Sequence, residues 1–427
     1  MNVVSLKYGK GLIEVELPKG SKVNILEAQF SNQDISSEDG TSLLIRAMEN
    51  PIGTKLLSQI VSKGQKVVIM VSDITRPSPT KKILPHILSE LYKGGIDDCD
   101  ITIIFGMGIH RSHTEEEQKY LVGEEIYSKI KCIDSNKEEY INCGNTSRGT
   151  PINLCKSLVQ ADIRICTGNI EYHYFAGYSG GAKAIMPGAA DYLSIKKNHS
   201  LQLDKNAASG ILYGNPVRED IDEVGNIINI QFILNVVLNE KKQILKAFAG
   251  DYLYAHREGC KYLDSLYSVE IKELVDIVIV SSGGYPKDIN LYQAQKALDN
   301  ASQAVKRGGS IILIAECIEG FGEAKFEEWI CSAKSPNEIV NRLKHEFVLG
   351  GHKASAIARI AQKANIYFIS SMNKEDINKM FFIHKNSAAE ALTSALAKKG
   401  ANSKIIVIPQ GSSILPKYIN IGVDNDE

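Results

Sequence analysis

The sequence lacks the features of a membrane, secreted or nucleic-acid-binding protein. No apolar run reaches the roughly 18 residues that a membrane-spanning helix needs. The opening stretch MNVVSLKYGK has neither the basic nor the apolar region of a secretory signal. Lys plus Arg total 49 against 50 Asp plus Glu, so the net charge of -1 creates no overall field that would attract a polyanion. We therefore expect a cytoplasmic protein that binds neither nucleic acid nor membranes.

Cysteine motifs and standard nucleotide fingerprints are missing as well. The eight cysteines are scattered without a C-x-x-C pair, which argues against a zinc knuckle and a disulfide framework. No G-x-G-x-x-G follows a predicted strand. The stretch GYSGGAK is not a phosphate loop, because Ala182 separates Gly181 from Lys183 and no Ser or Thr follows.

The apolar pattern that is present predicts an α/β protein. Short apolar runs alternate with longer amphipathic ones, which is typical of β-α-β units and parallel sheets. Buried strands are predicted at 66–73, 101–108, 161–169, 232–239, 276–282, 310–317, 365–371 and 404–409. A chain of 427 residues exceeds one ordinary core. We predict two Rossmann-like domains with mainly parallel sheets and the active site in the cleft between them.

The predicted domain bounds follow from where the second α/β series begins. The first domain, over 1–270, is expected to be joined by the C-terminal tail 406–427 and to hold the cofactor and the catalytic residues. The second domain, over 271–405, is expected to contribute substrate-binding residues.

Several helix boundaries carry capping signals. Thr114 with Glu117 forms a capping box, in which each side chain satisfies a free backbone amide. Asn215 before Pro216 is typical of a helix start. SPNE at 335–338 predicts a second capping box, and the pattern from 291 predicts a helix that continues to a glycine at 309.

Polar side chains collect where the predicted strands end. Ligands of open parallel sheets bind beyond the carboxyl ends of the strands, so these side chains are candidates for one common site. They are Asp73, Thr75 and Arg76 after the first strand, His110 after the second, His173 and Lys183 after the third, and Tyr292, Gln293 and Lys296 on the helix that follows 276–282.

Each candidate has a purely structural interpretation when it is taken alone. Arg76 suits a salt-bridged turn, His110 suits a helix cap, and His113 suits a bystander in the same loop. The glycines of 177–181 suit a flexible turn, and a lysine such as Lys296 is usually solvated. Their joint occurrence at strand ends favours a functional site.

A set of motifs, taken in order, resembles the nickel-pincer lactate racemase family over nearly the whole chain. The motifs are SDITRP (72–77), GIHR (108–111), HYFAGYSGGAK (173–183), PGAA (187–190), His199, LYQAQK (291–296) and GGHKA (350–354). The resemblance implies an isomerase that racemises a small 2-hydroxy carboxylate, D- and L-lactate in the first place. It also implies reversible hydride transfer with a 2-keto acid intermediate.

The resemblance further implies a cofactor and assigns residues to it. The cofactor is a nickel pyridinium-3,5-bisthiocarboxylic acid mononucleotide, attached covalently to a lysine that matches Lys183, with its Ni²⁺ bound by a histidine that matches His199. His110 and His173 match the catalytic histidines. Asp73, Thr75, Gly180 and Gly181 are expected to contact the cofactor, and Arg76, Tyr292, Gln293 and Lys296 are expected to bind the substrate.

Other interpretations stay open on the sequence alone. The same glycines could serve a non-redox nucleotide or phosphate-binding module, or a maturation or storage partner for the pincer. The substrate could be malate, 2-hydroxyglutarate, a longer aliphatic acid or a sugar acid, although the small and aliphatic residues of 350–362 favour a compact side group. Expected partners are the substrate, the proteins that make and mature the cofactor, and a second copy in a homodimer.

Overall fold

A computed structural model describes residues 2–18, 20–28, 39–348 and 350–419 of the chain. Within these ranges the strands are β1 (Asn2–Tyr8), β2 (Gly11–Leu17), β3 (Val23–Ile25), β4 (Val67–Ser72), β5 (Ile101–Gly106), β6 (Lys131–Asp134), β7 (Tyr140–Asn145), β8 (Pro151–Cys155), β9 (Ile163–Asn169), β10 (Tyr172–His173), β11 (Gly177–Tyr178), β12 (Phe232–Leu238), β13 (Ile244–Gly250), β14 (Ser268–Ile271), β15 (Val275–Ser281), β16 (Val305–Ile314), β17 (Asn365–Ile369), β18 (Ile383–His384), β19 (Ile405–Ile408) and β20 (Leu415–Tyr418).

The helices of the same ranges are α1 (Gly40–Glu49), α2 (Leu57–Ile60), α3 (Thr80–Lys93), α4 (Glu115–Val122), α5 (Glu124–Lys129), α6 (Lys156–Gln160), α7 (Tyr192–Ser200), α8 (Pro216–Ile227), α9 (Tyr254–Tyr267), α10 (Leu291–Ser302), α11 (Ala324–Ser332), α12 (Pro336–His345), α13 (Gly351–Lys363), α14 (Lys374–Lys379) and α15 (Ala388–Lys399). Among the residues described, none of these helices combines the length and the apolar character needed to cross a bilayer.

The chain divides into two compact units. Ser31–Ser265 forms one, here called the inserted unit, and Met1–Phe30 with Leu266–Glu427 forms the other, here called the flanking unit. The names refer only to chain order. Each unit has its own main sheet of six strands.

The inserted unit is built on a sheet of order β13-β12-β9-β4-β5-β6, in which only the β12–β13 pair is antiparallel. The central strand β4, VVIMVS, is almost wholly buried, as suits a parallel strand covered on both faces. The chain proceeds from β4 to β5 and β6 on one side, and β9 and β12 lie on the other. The order therefore reverses beside β4, which opens a crevice at the carboxyl ends of β4 and β9.

Helix α3 shows how the sequence builds the core of this unit. Apolar residues recur every three to four positions along it, and Ile83, Leu84, Ile87, Leu88 and Leu91 are all buried. They pack in one apolar cluster with residues of β4, β5 and β9. Burial of each such side chain contributes about 1.5–3 kcal/mol relative to exposure. This packing fixes the sheet edge at which the loops emerge.

The flanking unit has a parallel sheet of order β18-β17-β16-β15-β19-β3. Its order reverses beside β15, where β16 lies on one side and β19 on the other. The loop after β15 leads directly into α10. The predicted α/β class with mainly parallel sheets is therefore confirmed.

The units differ from the predicted domain bounds at both ends of the chain. The first residues belong to the flanking unit, because β3 pairs with β19 and the N–H of Gly9 donates to Oδ2 of Asp288 at 2.7 Å. The tail belongs to the same unit, since β20 pairs with β14. Hydrogen bonds between segments that are distant in sequence decide this division. No local sequence pattern predicts which unit the two ends of the chain join.

Most strands were predicted closely, and the exceptions have a physical reason. All predicted strands except 310–317 end within two residues of an observed strand. The helix predicted over 291–309 ends at Ser302, because buried Val305 already pairs with Val275 in the sheet. Sheet pairing overrides the helical pattern there.

The capping predictions had mixed outcomes. The box at Thr114 and the cap at Asn215 are confirmed. The box predicted at 335–338 was wrong: Ser335 makes no side-chain cap, and Glu338 instead accepts the N–H of Lys334 at 2.8 Å. The helix still begins at Pro336, whose missing N–H needs no partner.

Candidate active site

A buried carboxylate organises the loop that follows β4. Asp73 is 4% exposed, and its Oδ1 accepts hydrogen bonds from the N–H and the hydroxyl of Thr75, at 2.8 and 2.5 Å. Its Oδ2 lies 3.7 Å from Nε of Arg76. Burial alone would raise the pKa of Asp73, but contacts with His110, Arg76 and Thr75 outweigh burial and lower the pKa. The loop therefore holds a fixed negative charge, and Arg76 stays 46% exposed beside it.

His110, on the loop after β5, faces this carboxylate. Its Nδ1 lies 3.4 Å from Oδ2 of Asp73, which is longer than an ordinary hydrogen bond. This nitrogen is buried and has no hydrogen-bond partner among the residues described, although the ring as a whole is 28% exposed. The carbonyl of His110 accepts from Nδ2 of Asn136 at 3.1 Å, which holds the backbone of the loop. His110 is thus a partly accessible base beside a negative charge.

His113, which the sequence suggested to be a bystander, joins two of the loops. Its Nε2 accepts the N–H of Ile74 at 3.1 Å, and its Nδ1 lies 2.8 Å from Oδ1 of Asp134. Because Nε2 accepts, Nδ1 carries the proton and donates to the carboxylate. The ring is 1% exposed. His113 therefore keeps the Asp73 loop and the His110 loop side by side.

A tight hairpin after β9 carries His173. Strand β10 pairs with β11 so that His173 lies opposite Gly177, and Nδ1 of His173 accepts the N–H of Ala176 at 3.3 Å. Gly177 has φ +75°, and a Cβ there would lie 2.1 Å from the carbonyl oxygen of Ile211. Only glycine fits this turn. The hairpin thereby fixes the direction of the His173 ring.

Phe175 contacts two of the predicted site histidines. Its ring centroid lies 4.5 Å from that of His173 and 4.9 Å from that of His199, both as edge contacts. His199, on α7, is only 8% exposed. The structure therefore brings together two histidines that are 26 positions apart (199 − 173). Sequence reasoning did not single out Phe175, although it lies inside the HYFAG motif.

The two glycines predicted to contact the cofactor have structural reasons of their own. Gly180 and Gly181 have φ of +78° and +61°. A Cβ would lie 2.8 Å from Oδ1 of Asn235 at the first position and 3.0 Å from Cγ of His256 at the second. The N–H of Gly181 also donates to Asn235 at 2.8 Å. The backbone conformation and the neighbouring protein atoms are thus sufficient to require glycine at both positions. Contact of these glycines with a cofactor stays a prediction.

Lys183 lies on a short turn, Gly181–Ala184, immediately after these glycines. The residue is partly accessible, yet it is surrounded by protein. Burial, followed by the positive charges of Arg76 and Arg218, lowers the pKa of Lys183 to about 7. A substantial fraction of the amine is therefore neutral and nucleophilic at neutral pH. Because β4 and β9 pair in parallel, the loops after them emerge at the same edge of the sheet.

Arg218, on α8, holds the hairpin from inside the unit. It is fully buried; its Nε donates to the carbonyl of Ala176 at 3.2 Å, and its Nη2 donates to the carbonyl of Tyr178. Its Nη1 lies 3.3 Å from Asp222. Sequence reasoning missed this residue, because an arginine in an amphipathic helix is usually exposed. Arg218 both supports the hairpin and helps to lower the pKa of Lys183.

The remaining predicted residues lie in the flanking unit, on α10. Tyr292 and Lys296 share a half-buried stripe of this helix, and Gln293 is exposed. Lys353, which the sequence analysis did not single out, donates to the carbonyl of Tyr292 at 2.6 Å and lies 3.8 Å from the centre of its ring. Lys353 is 8% exposed. Lys353 lies on α13 and therefore holds the first turn of α10 in place.

The structure does not support the expectation that residues 350–362 limit the size of the substrate. The small and aliphatic residues at 350–362 were expected to line the site and to favour a compact side group. Ala354, Ile357 and Ala358 are instead at most 1% exposed, so they pack inside the flanking unit. They carry no information about the substrate.

The inserted unit thus gathers the predicted proton-transfer, attachment and ligand residues on the loops after β4, β5 and β9 and on α7. Tyr292, Gln293 and Lys296 lie in the other unit. Within the described ranges, no group of three or more His, Cys, Asp or Glu side chains is placed to hold a metal ion. Nickel binding by His199 stays a prediction.

Family models match both halves of the chain. A model described as the lactate racemase N-terminal domain matches residues 8–210, and one described as the lactate racemase C-terminal domain matches residues 271–415. Together they cover most of the chain.

Two curated relatives match over almost their full length. A lactate racemase of Thermoanaerobacterium thermosaccharolyticum is 34% identical over 422 residues, which are 96% of this chain and 98% of the relative. A lactate racemase of Lactiplantibacillus plantarum is 31% identical over 429 residues, which are 98% of this chain and 100% of the relative.

Solved structures agree with the sequence matches. The lactate racemase apoprotein of Thermoanaerobacterium thermosaccharolyticum matches with a TM-score of 0.85 and 33% identity, covering 97% of this chain and 100% of that one. A Thermotoga maritima protein, 16% identical with a TM-score of 0.58, covers 85% of this chain and 96% of that one, and shows the fold alone. The chain belongs to the lactate racemase family and is an isomerase of the racemase class.

Proposed function

We propose that this chain interconverts D- and L-lactate with a nickel-pincer nucleotide attached to Lys183. The observation that carries the proposal is the environment of Lys183: a partly accessible amine with a pKa of about 7 lies at the sheet edge that also carries His110 and His173. The two family relatives named as lactate racemases support lactate as the substrate.

The residues at this edge fit the implied cofactor. An amine has to be neutral to form an acyl bond, and the lowered pKa of Lys183 makes the neutral form available. His199 offers an imidazole nitrogen, and nickel accepts imidazole together with soft sulfur donors. Asp73 and Thr75 lie in the adjacent loop, where they stay proposed cofactor contacts. When bound, the pincer supplies a hydride acceptor, which lets a 2-hydroxy acid pass through a planar 2-keto acid.

His110 and His173 would handle the hydroxyl proton of the substrate. Each histidine would serve one enantiomer as base, and by microscopic reversibility it would serve as acid in the opposite direction. Nδ1 of His173 accepts the N–H of Ala176, so His173 would have to release that hydrogen bond before it takes a proton. A positioned acid or base of this kind typically contributes about 10²–10⁴-fold to the rate. The carboxylate of Asp73, 3.4 Å from Nδ1 of His110, would stabilise the imidazolium that forms when His110 takes the proton.

Arg76 would hold the substrate carboxylate. Its guanidinium is 46% exposed, so it is accessible, and its Nε lies 3.7 Å from Oδ2 of Asp73. A planar guanidinium binds a carboxylate through two parallel hydrogen bonds and so fixes orientation as well as charge. Tyr292, Gln293 and Lys296 stay proposed substrate-binding residues of the flanking unit.

The proposal is tested with protein isolated from its native host and a panel of 2-hydroxy acids. Chiral chromatography would follow each pure enantiomer, with Lys183→Arg protein as the control for background conversion. We expect lactate to racemise fastest in both directions. Faster turnover of malate, 2-hydroxyglutarate, a longer aliphatic acid or a sugar acid would reassign the substrate. Tight nucleotide binding without any racemisation would replace the proposal by a binding module.

Three further expectations remain predictions. They are a cytoplasmic location, the action of maturation proteins that make and deliver the cofactor, and a homodimer. Each depends on partners or surroundings rather than on the residues of this site.

A further inference from the structure

A buried chain of polar side chains leads to His199. Oδ1 of Asn198 lies 3.0 Å from Nδ1 of His199, and Nδ2 of Asn198 donates to Oδ2 of Asp220 at 2.8 Å. Oδ1 of Asp220 accepts the hydroxyl of Thr146 at 2.5 Å. Asn198 and Asp220 are fully buried, and Thr146 is 5% exposed. The chain connects α7, α8 and the loop after β7.

The direction of each hydrogen bond in this chain is determined. The amide nitrogen of Asn198 donates to Oδ2 of Asp220, so the amide oxygen of Asn198 points the other way. The carbonyl of Val217, 3.5 Å from the same nitrogen, favours the same orientation. The amide oxygen of Asn198 must then face His199, and an oxygen that only accepts requires a proton on Nδ1. In the neutral imidazole, Nε2 of His199 then carries the lone pair.

We propose that Asn198 and Asp220 are positioning residues that select the Nδ1–H form of His199 and so prepare its Nε2 to bind nickel. The inference rests on the proposed function, in which His199 is the protein ligand of the pincer nickel. Partners behind a metal-binding histidine fix its tautomer and orientation, and their loss typically weakens metal binding about 10- to 100-fold.

The substitution Asp220→Asn tests the orientation directly. The new amide oxygen would still accept from Thr146, so the new amide nitrogen would face Asn198. Two amide nitrogens cannot donate to each other, and Asn198 would turn its oxygen toward residue 220 and its nitrogen toward His199. Nδ1 of His199 would then accept, Nε2 would carry the proton, and nickel would lose its ligand.

The experiment uses protein isolated from its native host with the cofactor attached. Intact mass would report the adduct on Lys183, and elemental analysis after competition with a chelator would report the retention of nickel. We expect Asp220→Asn to keep the adduct and to bind nickel about 10- to 100-fold more weakly, like a His199→Ala benchmark. The double variant Asn198→Asp with Asp220→Asn exchanges carboxylate and amide, restores an acceptor toward His199, and should return nickel retention to near the wild-type value.

One control and one further variant separate a change in the orientation of the Asn198 amide from a general loss of structure. Thr146→Val removes the far hydrogen bond of Asp220 but leaves its contact with Asn198, so we expect wild-type nickel retention; equal loss in this variant would overturn the inference. Asn198→Ala, which removes the acceptor itself, should lose nickel even if Asp220→Asn fails to fold. Wild-type retention in either Asp220→Asn or Asn198→Ala, or no recovery in the double variant, would also overturn the inference.

The outcomes for the proposed function are distinct from these. Wild-type protein without adduct and without nickel would remove the proposed function, and the inference would fall with it. Full nickel retention in His199→Ala would remove His199 as the ligand while the attachment at Lys183 remained in place.

Discussion

The inserted and the flanking unit share one plan but present their polar residues differently. Both have a six-stranded sheet whose order reverses beside a central strand. In the inserted unit, His110 lies on a loop, His173 on a short hairpin and Lys183 on a short turn, and buried His113 and Arg218 hold the loop and the hairpin in place. In the flanking unit, Tyr292 and Lys296 lie on a regular helix. Loops allow groups from several strands to converge, whereas one helix presents a fixed row.

The two arrangements suit different tasks. Proton transfer and covalent attachment need groups whose protonation the surroundings adjust, and the inserted unit shows this for Lys183 and Asp73, whose pKa values are both lowered. A row on a helix is suited to contacts that only orient a ligand. We therefore expect substitutions of His110, His173 or Lys183 to reduce kcat, and substitutions in the first turns of α10, or of residues that support those turns, to raise KM.

The largest expected effect is that of Lys183→Arg. Arginine keeps a positive charge and a long side chain, but its guanidinium stays protonated and is not acylated, so we expect complete loss of the adduct and of racemisation. Intact mass and a chiral assay would measure both. Lys197→Ala, at an exposed position on α7, is the matched control and should leave both unchanged. Wild-type activity in Lys183→Arg protein would disprove the covalent attachment.

The next effect concerns the two histidines that we propose to be catalytic. His110→Ala and His173→Ala should each lower kcat by about 10²–10⁴-fold in both directions, because one turnover uses both groups. Chiral assays started from each enantiomer would measure this, and exposed His345→Ala serves as the control. If either variant kept full activity in one direction, that histidine would not take part as proposed.

A smaller effect concerns the protonation of Lys183 in protein without cofactor. Burial and then the charges of Arg76 and Arg218 lower its pKa to about 7, and the neutral amine is the reactive form. Labelling by an amine reagent should therefore rise as the pH increases through about 7, well below the ordinary lysine value near 10.4. Arg76→Gln removes a positive charge, so it should raise the pKa of Lys183, move the midpoint upward and slow labelling at pH 7 by about two- to tenfold.

Peptide mapping across a pH series would measure this labelling. The peptide that contains exposed Lys197 is the internal reference in every digest. Identical pH profiles for the two lysines would contradict the lowered pKa of Lys183. An unchanged midpoint in Arg76→Gln would show that Arg76 does not contribute and would leave burial and Arg218 as the causes of the lowered pKa.

The smallest effect tests the flanking unit. Lys353→Met removes a hydrogen bond to Tyr292 and a cation–π contact, each worth about 0.5–2 kcal/mol. We expect KM to rise about two- to tenfold with kcat nearly unchanged. Lys363→Met is the matched control, since Lys363 also donates to a backbone carbonyl, that of Ser302 at 2.6 Å. Equal effects in both variants, or a fall confined to kcat, would break the proposed division between the units.

The sequence could predict the strands and the edge at which the site forms. Apolar runs such as 66–73 and 161–169 are nearly continuous, as buried parallel strands require, and they correspond to β4 and β9. Ligand sites of such sheets lie where the strand order reverses. That rule predicts Asp73, His110, His173 and Lys183 at one edge from strand ends alone.

The supporting residues could not be predicted, because their partners are not local in sequence. Arg218 holds a hairpin 40 and 42 positions away, and His113 pairs with a carboxylate 21 positions away. A single sequence shows residue types and local spacing, and neither says which buried groups meet. The division into units escaped prediction for the same reason.

Strand β3 is synthesised long before the strand with which it pairs. Val23 pairs with Ile405, 382 positions later (405 − 23), whereas every strand of the main sheet of the inserted unit lies between Val67 and Gly250. Domains generally fold as units while the chain is being made. The inserted unit can therefore form its sheet, with the histidines and Lys183 in place, while β3 still lacks its partner. During translation, Lys183 would thus reach its folded surroundings before β19, the partner of β3 in the other sheet, has formed.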